Sequence, residues 1–136
     1  MNAPILLLDP ESPLSPYEQI ASQIRIQVAA ERLLPGEALP SVRQLARDLE
    51  IAPNTVVRAY NELVQEGWIT PTPRRGFLVA QQTQSLVANE RRQQLQRAIQ
   101  QVLHVTEQFR VSPEELFAEL ERQVAKSQVV NLKTES

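Results

Sequence analysis

Residues 39–69 have the sequence LPSVRQLARDLEIAPNTVVRAYNELVQEGWI, in which two amphipathic helix patterns are separated by a short break around residues 50–53. Ser41 with Gln44 three residues later is typical of a helix start, and Gly67 is typical of a helix end. Apolar residues recur at helical spacing in both patterns, so each helix has one side to bury. These residues are Val42, Leu45, Ala46 and Leu49 in the first pattern and Val56, Ala59, Tyr60 and Leu63 in the second. The stretch therefore predicts two short helices joined by a tight turn.

Another helix is predicted upstream of this stretch. Ser15 with Glu18 repeats the start pattern, and the helix ends before Pro35. Its apolar stripe consists of Tyr17, Ile20, Ala21, Ile24 and Val28. Farther upstream, the apolar run from Ile5 to Leu8 is too short for a signal peptide or a membrane span, and we expect a lone edge strand there.

Two short β-like runs follow the second of the two helix patterns. They cover Trp68 to Thr70 and Phe77 to Ala80, and the connector from Pro71 to Gly76 contains two arginines. Proline and glycine between β-like runs are typical of a hairpin, here one with a basic tip. Three helices and a hairpin together predict a winged helix-turn-helix domain over residues 1–81. The fold class expected for the chain is mainly α with a small β-hairpin.

Residues 82–136 differ in composition, with many glutamine, arginine and glutamate residues. Two helices are predicted, from Ser85 to about Arg110 and from Pro113 to about Lys126, followed by a frayed tail. Their apolar residues include Leu95, Ile99, Val102, Phe109, Leu116, Phe117, Leu120 and Val124. Two helices alone bury one thin seam, so we expect a second copy of the chain to cover much of this surface. Residues 82–136 are therefore predicted to be a two-helix dimerisation segment that makes a homodimer.

The composition argues against several kinds of site. The chain of 136 residues has no cysteine, which excludes disulfides and thiolate chemistry and favours the cytoplasm. Its single histidine, His104, lies on an apolar-striped helix near Glu107, and one histidine with one carboxylate holds a metal poorly. We therefore predict no catalytic activity, no metal and no cofactor.

The net charge of −2 at pH 7 argues by itself against nucleic-acid binding. Phosphate contacts are local, however, because the Debye length in physiological salt is about 8 Å, so an acidic average can coexist with a basic face. In a helix-turn-helix, the second helix places its N-terminal residues in the major groove. The face of that helix opposite the apolar stripe contains Asn54, Thr55, Arg58, Asn61 and Glu62. Asparagine, threonine and arginine side chains are suited to bind base edges or phosphates. A merely solvated helix face is the alternative.

Two further features favour DNA. Ala52 at the expected N-cap has no side-chain acceptor, so we expect the amides of Asn54 and Thr55 to be free to bind phosphate. Arg74 and Arg75 at the hairpin tip fit the minor groove or its flanking phosphates, and a solubilising turn is the alternative.

The stretch at residues 39–69, together with RRGFLV at residues 74–79, resembles the DNA-binding domain of the GntR family of bacterial transcription regulators. The resemblance continues upstream through LSPYEQIASQI and LLPGEALPS and covers roughly residues 5–80. The short tail is similar to that of the YtrA-type subfamily, which has two dimerisation helices in place of a ligand-binding domain. The resemblance implies a repressor that binds an inverted-repeat operator in double-stranded DNA as a homodimer. It leaves open whether a small-molecule effector exists.

The motif also implies which positions bind DNA. With the arginines already named, the predicted set is Ser41, Arg43, Asn54, Thr55, Arg58, Arg74, Arg75 and Gly76. The sequence departs from the family pattern in two places. The family often has arginine where Val57 stands, with the basic residue here displaced to Arg58, and Arg74 replaces the first of two wing glycines. These departures leave the operator sequence open.

A winged helix that holds another protein is the main alternative function, because the same fold serves both purposes. Arg43, Arg74 and Arg75 argue against it. Related regulators with a fused aminotransferase domain bind pyridoxal phosphate, and this chain is expected to be too short to contain that domain.

Overall fold

The computed structural model describes residues 6–135, and their side chains as far as residue 128. The helices are α1 (Pro16–Ala29), α2 (Val42–Leu49), α3 (Pro53–Glu66), α4 (Gln84–Gln108) and α5 (Pro113–Glu135). The strands β1 (Ile69–Thr72) and β2 (Gly76–Val79) form an antiparallel hairpin, so the predicted fold class is confirmed. The chain divides into two compact units, Met1–Gln93 and Gln94–Ser136, called unit 1 and unit 2 below.

The helix starts use the predicted capping residues. At α1, the Glu18 carboxylate accepts a hydrogen bond from the Ser15 amide at 3.0 Å, and this bond holds the pKa of the Glu18 carboxyl below its usual range. At α2, the Ser41 hydroxyl accepts a hydrogen bond from the Gln44 amide at 3.1 Å, and α5 begins in the same way. These bonds satisfy backbone groups near the first turn that have no partner within the helix.

The core of unit 1 is formed by α1, α2, α3 and the hairpin, and it contains the predicted apolar stripes. The largest fully buried side chains are Ile20, Ile24, Leu33, Val56, Tyr60, Leu63, Ile69 and Val79. Burying one such side chain stabilises the fold by roughly 1.5–3 kcal/mol. The inner face of α3 is therefore fixed firmly against α1 and the hairpin.

Tyr60 connects three parts of unit 1. Its hydroxyl donates a hydrogen bond to the Pro40 carbonyl at 2.7 Å, just before α2, and its ring meets the Phe77 ring edge-on at a centroid distance of 4.9 Å. Burial raises the pKa of the Tyr60 hydroxyl well above its usual range. This one side chain therefore joins α3 to the entry of α2 and to β2.

The turns that end α2 and α3 both use left-handed backbone. Glu50 ends α2 with φ of 56°, and Gly67 ends α3 with φ of 94°. Such a residue lets the chain reverse while its amide still bonds to the last turn of the helix. The tight turn predicted between the two helices is formed in this way.

The hairpin strands differ by one or two residues from the prediction. Their register pairs Ile69 with Val79 and Thr72 with Gly76, so only residues 73–75 form the tip. Residues 36–39 lie along the other edge of β2, where the Leu39 amide donates to the Phe77 carbonyl at 2.9 Å. This added pairing gives Phe77 to Val79 of β2 partners on both edges of the strand.

The apolar run near the N-terminus is not a strand, so that prediction was wrong for residues 6–8. The side-chain amide of Gln23 on α1 pairs with both backbone groups of Leu7, accepting from its amide at 3.0 Å and donating to its carbonyl at 2.6 Å. Leu6 is buried in the core, and Ile5 lies outside the described residues. A side chain on a helix takes the place of the neighbouring strand that an edge strand would need.

The first part of α4 belongs to unit 1. Leu86 and Val87 pack against its core. The Arg91 guanidinium donates to the Ala29 carbonyl at the end of α1, at 2.9 Å, and forms an ion pair with Glu31 at 3.2 Å. Unit 1 therefore extends past residue 81, and Arg91 on α4 contacts the C-terminal end of α1.

Unit 2 consists of the remainder of α4 and of α5, which continues to Glu135 and not only to about Lys126 as predicted. Residues 114–135 contain no glycine or proline that would stop it. Two clefts of about 580 and 340 Å³ lie between the helices, lined largely by Val102, Val111 and Leu116. Neither α4 nor α5, nor any other described helix, combines the length and the apolar character that a membrane span requires.

Candidate nucleic-acid interface

The outward side of α3 is the predicted recognition surface. Asn54, Val57, Arg58 and Asn61 are exposed along it, and Thr55 is half-buried. They lie opposite residues that are buried in the core. Because the inner face of α3 is held by packing, these outward side chains project from a fixed backbone. We call Asn54, Thr55, Val57, Arg58, Asn61 and Gln65 the recognition surface.

The N-cap residue of α3 is Ala52, which forms no side-chain cap, as predicted. The Thr55 amide, however, donates to the Ala52 carbonyl at 3.0 Å. The expectation of a free amide at Thr55 was therefore wrong. A tight first turn supplies the local acceptor for this amide.

Arg58 contacts the first helix. Its Cζ atom lies 3.7 Å from the centroid of the Tyr17 ring, within the range of a cation–π interaction. Tyr17 belongs to the predicted apolar stripe of α1, and its ring does pack against the core of unit 1. Its second role beside Arg58 was missed, because the periodicity of one helix carries no information about its neighbour.

An ion-pair cluster joins α1 to α3 next to the recognition surface. Arg25 contacts Glu66 at 2.8 Å and Glu62 at 3.3 Å. Burial opposes the charged form of Arg25, but the hydrogen bond and charge of Glu66, together with the charges of Glu62 and Glu90, outweigh burial, so the pKa of the guanidinium is raised. This cluster therefore helps to fix α1, and with it Tyr17, against α3.

Arg43 and the hairpin tip supply further basic groups. Arg43, Arg74 and Arg75 are exposed, and within the described residues none of the three takes part in an ion pair. Their charges are therefore available to phosphates. Ser41 is exposed as well, and its oxygen already caps α2.

The backbone of the hairpin tip is shaped by Thr72 and Gly76. The Thr72 hydroxyl donates to the Gly76 carbonyl at 2.9 Å and accepts from the Arg75 amide at 3.0 Å. Gly76 has φ of 68°, and no atom lies within 4 Å of where its Cβ would be. Glycine is favoured there by the left-handed backbone and not by a close contact within the protein.

The recognition surface has the chemistry of a base-reading face. A shallow cleft of about 440 Å³ runs along it, with Tyr17 and Glu62 at its border. Asparagine amides can bond to adenine, an arginine to guanine or phosphate, and the apolar Val57 can contact a thymine methyl group. Val57 and Gln65 were not among the predicted contacts, although helical spacing from Asn54 and Asn61 places them on this side.

Nothing in the described part of the chain has the arrangement of a metal site. No group of three histidine, aspartate or glutamate side chains is close enough there to hold an ion, and His104 is exposed on α4.

Comparison with known proteins identifies the family. The model of the bacterial regulatory proteins of the gntR family matches residues 16–79, which include α1, α2, α3 and the hairpin. The HTH-type transcriptional repressor YtrA of Bacillus subtilis is 31% identical over 99 residues, which are 73% of this chain and 76% of that protein. The chain belongs to the GntR family. It is thus a DNA-binding transcription regulator, and the family comprises regulators and not enzymes, as predicted.

Two solved structures extend the comparison beyond the GntR domain. A transcriptional regulator from Oenococcus oeni is 27% identical with a TM-score of 0.70, over 86% of this chain and 97% of that one. YtrA from Sulfolobus acidocaldarius, a GntR-family transcription factor, is 37% identical with a TM-score of 0.54, over 74% of this chain and 98% of that one. The winged helix-turn-helix fold is therefore shared with GntR-family proteins.

Proposed function

We propose that this GntR-family regulator represses transcription by binding an inverted-repeat operator as a homodimer, with α3 of each copy in the major groove. The observation that carries the proposal is the polar outward face of α3, which stands on a fully buried inner face. The Bacillus subtilis relative is named as a repressor, which supports the same sense of regulation here. Such a protein acts where its operator is, in the cytoplasm.

Each predicted contact residue has a role in this proposal. Asn54 and Thr55, at the start of α3, bond to base edges, and Arg58 binds a phosphate or an outer base. Ser41 and Arg43 on α2 bind the backbone, Arg74 and Arg75 reach the minor groove or its phosphates, and Gly76 shapes the tip. Exposure and the lack of ion pairs at Arg43, Arg74 and Arg75, within the described residues, support these assignments.

The homodimer is proposed to form through residues 82–136, chiefly through unit 2. Its large apolar side chains remain accessible in the single chain, with Phe109 at 68% and Leu95 and Phe117 at 61% exposure. Ile99, Val102, Leu120 and Val124 are exposed too, and Leu116 is half-buried. Leu103 and Val105, which the sequence analysis did not include, add to this surface. Apolar side chains left exposed in such number indicate a protein partner, and a second copy offers a matching surface.

A two-fold axis through such a dimer presents two recognition helices to DNA. The half-sites of the operator are then related by inversion and lie about one helical turn apart, roughly 34–36 Å. A small-molecule effector is compatible with the clefts between α4 and α5. Their lining is mainly apolar, with Glu115, Glu119 and Arg122 at the larger cleft, and assigns no chemical class of effector.

The decisive experiment is selection of bound duplexes from a randomised DNA library with the full-length protein. We expect enrichment of a two-fold symmetric sequence, and a footprint that covers both half-sites. Enrichment of a single asymmetric site would contradict the dimeric mode of binding. Failure to enrich any sequence would contradict operator binding and favour a winged helix that holds another protein.

A further inference from the structure

We propose that Tyr17 is a positioning residue for DNA recognition, which holds the Arg58 guanidinium in place on the recognition surface. This inference rests on the proposed function and adds α1 to the elements that set operator affinity. Its starting observation is the 3.7 Å distance from Arg58 Cζ to the Tyr17 ring centroid. No other described aromatic ring stacks with an arginine in this way.

The contact leaves Arg58 able to bind DNA. The five N–H donors of a guanidinium lie in its plane, whereas the attraction to an aromatic ring acts through the ring face. A guanidinium over a ring therefore keeps its donors and its full charge for a phosphate or a base. An arginine bonded to a carboxylate would first have to give up that partner.

The carboxylates near Arg58 are already engaged. Glu62 accepts from Arg25 at 3.3 Å, and Glu18 accepts from the Ser15 amide at 3.0 Å. Arg58 acts on Glu18 through its charge, which adds to the lowering of the Glu18 pKa, but the two form no ion pair among the described contacts. Arg58 therefore lies beside an aromatic ring and forms no ion pair among the described contacts.

Tyr17 itself is well fixed. Its ring is half-buried and packs on the core of unit 1, and the ion pairs of Arg25 tie α1 to α3. A long exposed side chain such as Arg58 loses rotamer freedom when it binds, and ordering it beforehand reduces that loss. Tyr17 therefore acts on operator affinity through Arg58 and does not itself need to touch DNA.

A double-mutant cycle on the full-length protein tests this role. The probe is the duplex selected by the wild-type protein, and the variants are Tyr17→Phe, Tyr17→Leu, Arg58→Ala and the Leu/Ala double variant. Phenylalanine keeps the ring, so its affinity should stay within about twofold of wild type. Leucine should weaken binding roughly two- to fivefold, which corresponds to the strength of an exposed cation–π contact. In the Arg58→Ala background, Tyr17→Leu should have no further effect.

Two outcomes overturn the inference. Equal losses from Tyr17→Leu in both backgrounds would show that Tyr17 acts on DNA without Arg58. An unchanged affinity in Tyr17→Leu would show that the stacking has no effect on recognition. The Arg58→Lys variant tests the contribution of the stacking contact from the side of Arg58 and leaves α1 unchanged. The ammonium keeps the charge but stacks less well, so Tyr17→Leu should weaken its binding less than it weakens that of wild type.

The contact is also measured without DNA. Ring-current shifts of the Arg58 side-chain protons in the NMR spectrum should be present in wild type and Tyr17→Phe and absent in Tyr17→Leu. Their absence from wild type would overturn the inference and leave the proposed function intact. If the shifts are present and no duplex is selected, the proposed function fails instead, and with it the role of the contact. Arg92→Ala, an exposed arginine on α4, is the matched control and should leave affinity unchanged.

Discussion

Unit 1 and unit 2 are both mainly helical, yet they differ in the solvent exposure of their large apolar side chains. In unit 1 the core side chains of three helices and a hairpin, such as Ile20, Leu63 and Val79, are almost inaccessible, and Tyr60 is completely buried. In unit 2 residues of the same kind remain largely exposed, as Phe109 and Phe117 show. The difference indicates that unit 1 buries most of its apolar residues by itself, whereas unit 2 leaves exposed the apolar surface through which we propose that two copies of the chain pair.

Removal of unit 2 should have the largest effect. A chain ending at Gln93 keeps Leu86, Val87 and Arg91, which pack on unit 1, so it should fold and sediment as a monomer. Its operator affinity should fall by roughly 100-fold or more, because the second half-site is no longer bound at high effective concentration. Analytical ultracentrifugation and a binding titration on the selected duplex measure both effects. A dimeric Met1–Gln93 chain would contradict the role assigned to unit 2.

A charge placed on the exposed face of unit 2 should disrupt the dimer without unfolding unit 1. Phe117→Glu should raise the dimer dissociation constant at least about 30-fold, the effect expected for a central aromatic residue of an interface. Leu34→Glu is the control, since Leu34 is an exposed apolar residue of unit 1. A dimer equally stable in both variants would show that Phe117 lies outside the interface.

The arginines at the hairpin tip and those on α4 and α5 should differ in their effect on the salt dependence of DNA binding. Replacing Arg74 and Arg75 by alanine should reduce the slope of log affinity against log salt by about one per lost phosphate contact in each half-site. The loss should be similar for operator and random DNA. The same change at Arg92 and Arg122, which are exposed on α4 and α5, should leave the slope unaltered. If wild type, the Arg74/Arg75 variant and the Arg92/Arg122 variant had equal slopes of log affinity against log salt, the hairpin tip would not contact DNA.

The smallest predicted effect concerns the closed core of unit 1. The pKa of Tyr60 is raised in the folded state, so the folded chain holds this proton more tightly than the unfolded chain does. The neutral Tyr60 hydroxyl contributes its full amount to the free energy of unfolding below the unfolded-state pKa of about 10. This contribution declines as the pH rises above that value. Tyr60→Phe should lose about 1 kcal/mol of unfolding free energy at pH 7, because its hydrogen bond to Pro40 is gone.

Tyr60→Phe should also show a smaller loss of stability between pH 7 and pH 11 than wild type, measured by urea unfolding at one protein concentration. Tyr17→Phe is the matched change at the other tyrosine. It retains Tyr60 and should keep the alkaline decline. An equal decline in wild type and Tyr60→Phe would show that the buried hydroxyl does not govern stability at high pH.

Sequence patterns predicted what repeats along one element. The helical spacing of Ile20, Ile24, Tyr60 and Leu63 was sufficient to predict that these residues form the core. The capping residues were sufficient to predict where the helices begin. The same patterns could not predict which side chains of different elements contact each other. The stacking of Arg58 on Tyr17 and the pairing of Gln23 with Leu7 depend on how α1 lies against its neighbours. The same limit applies to the end of β1, which is fixed by pairing across the hairpin.

The two sides of α3 can change independently of each other during evolution. Val56, Ala59 and Leu63 maintain the fold, while Asn54, Val57 and Asn61 face solvent and contribute little to packing. Substitutions at exposed positions of this kind usually alter stability by less than about 0.5 kcal/mol. In the proposed complex, the product of a duplicated gene would therefore bind a new operator after two or three changes on this face, without passing through an unfolded protein. The buried side of the same helix allows no such divergence.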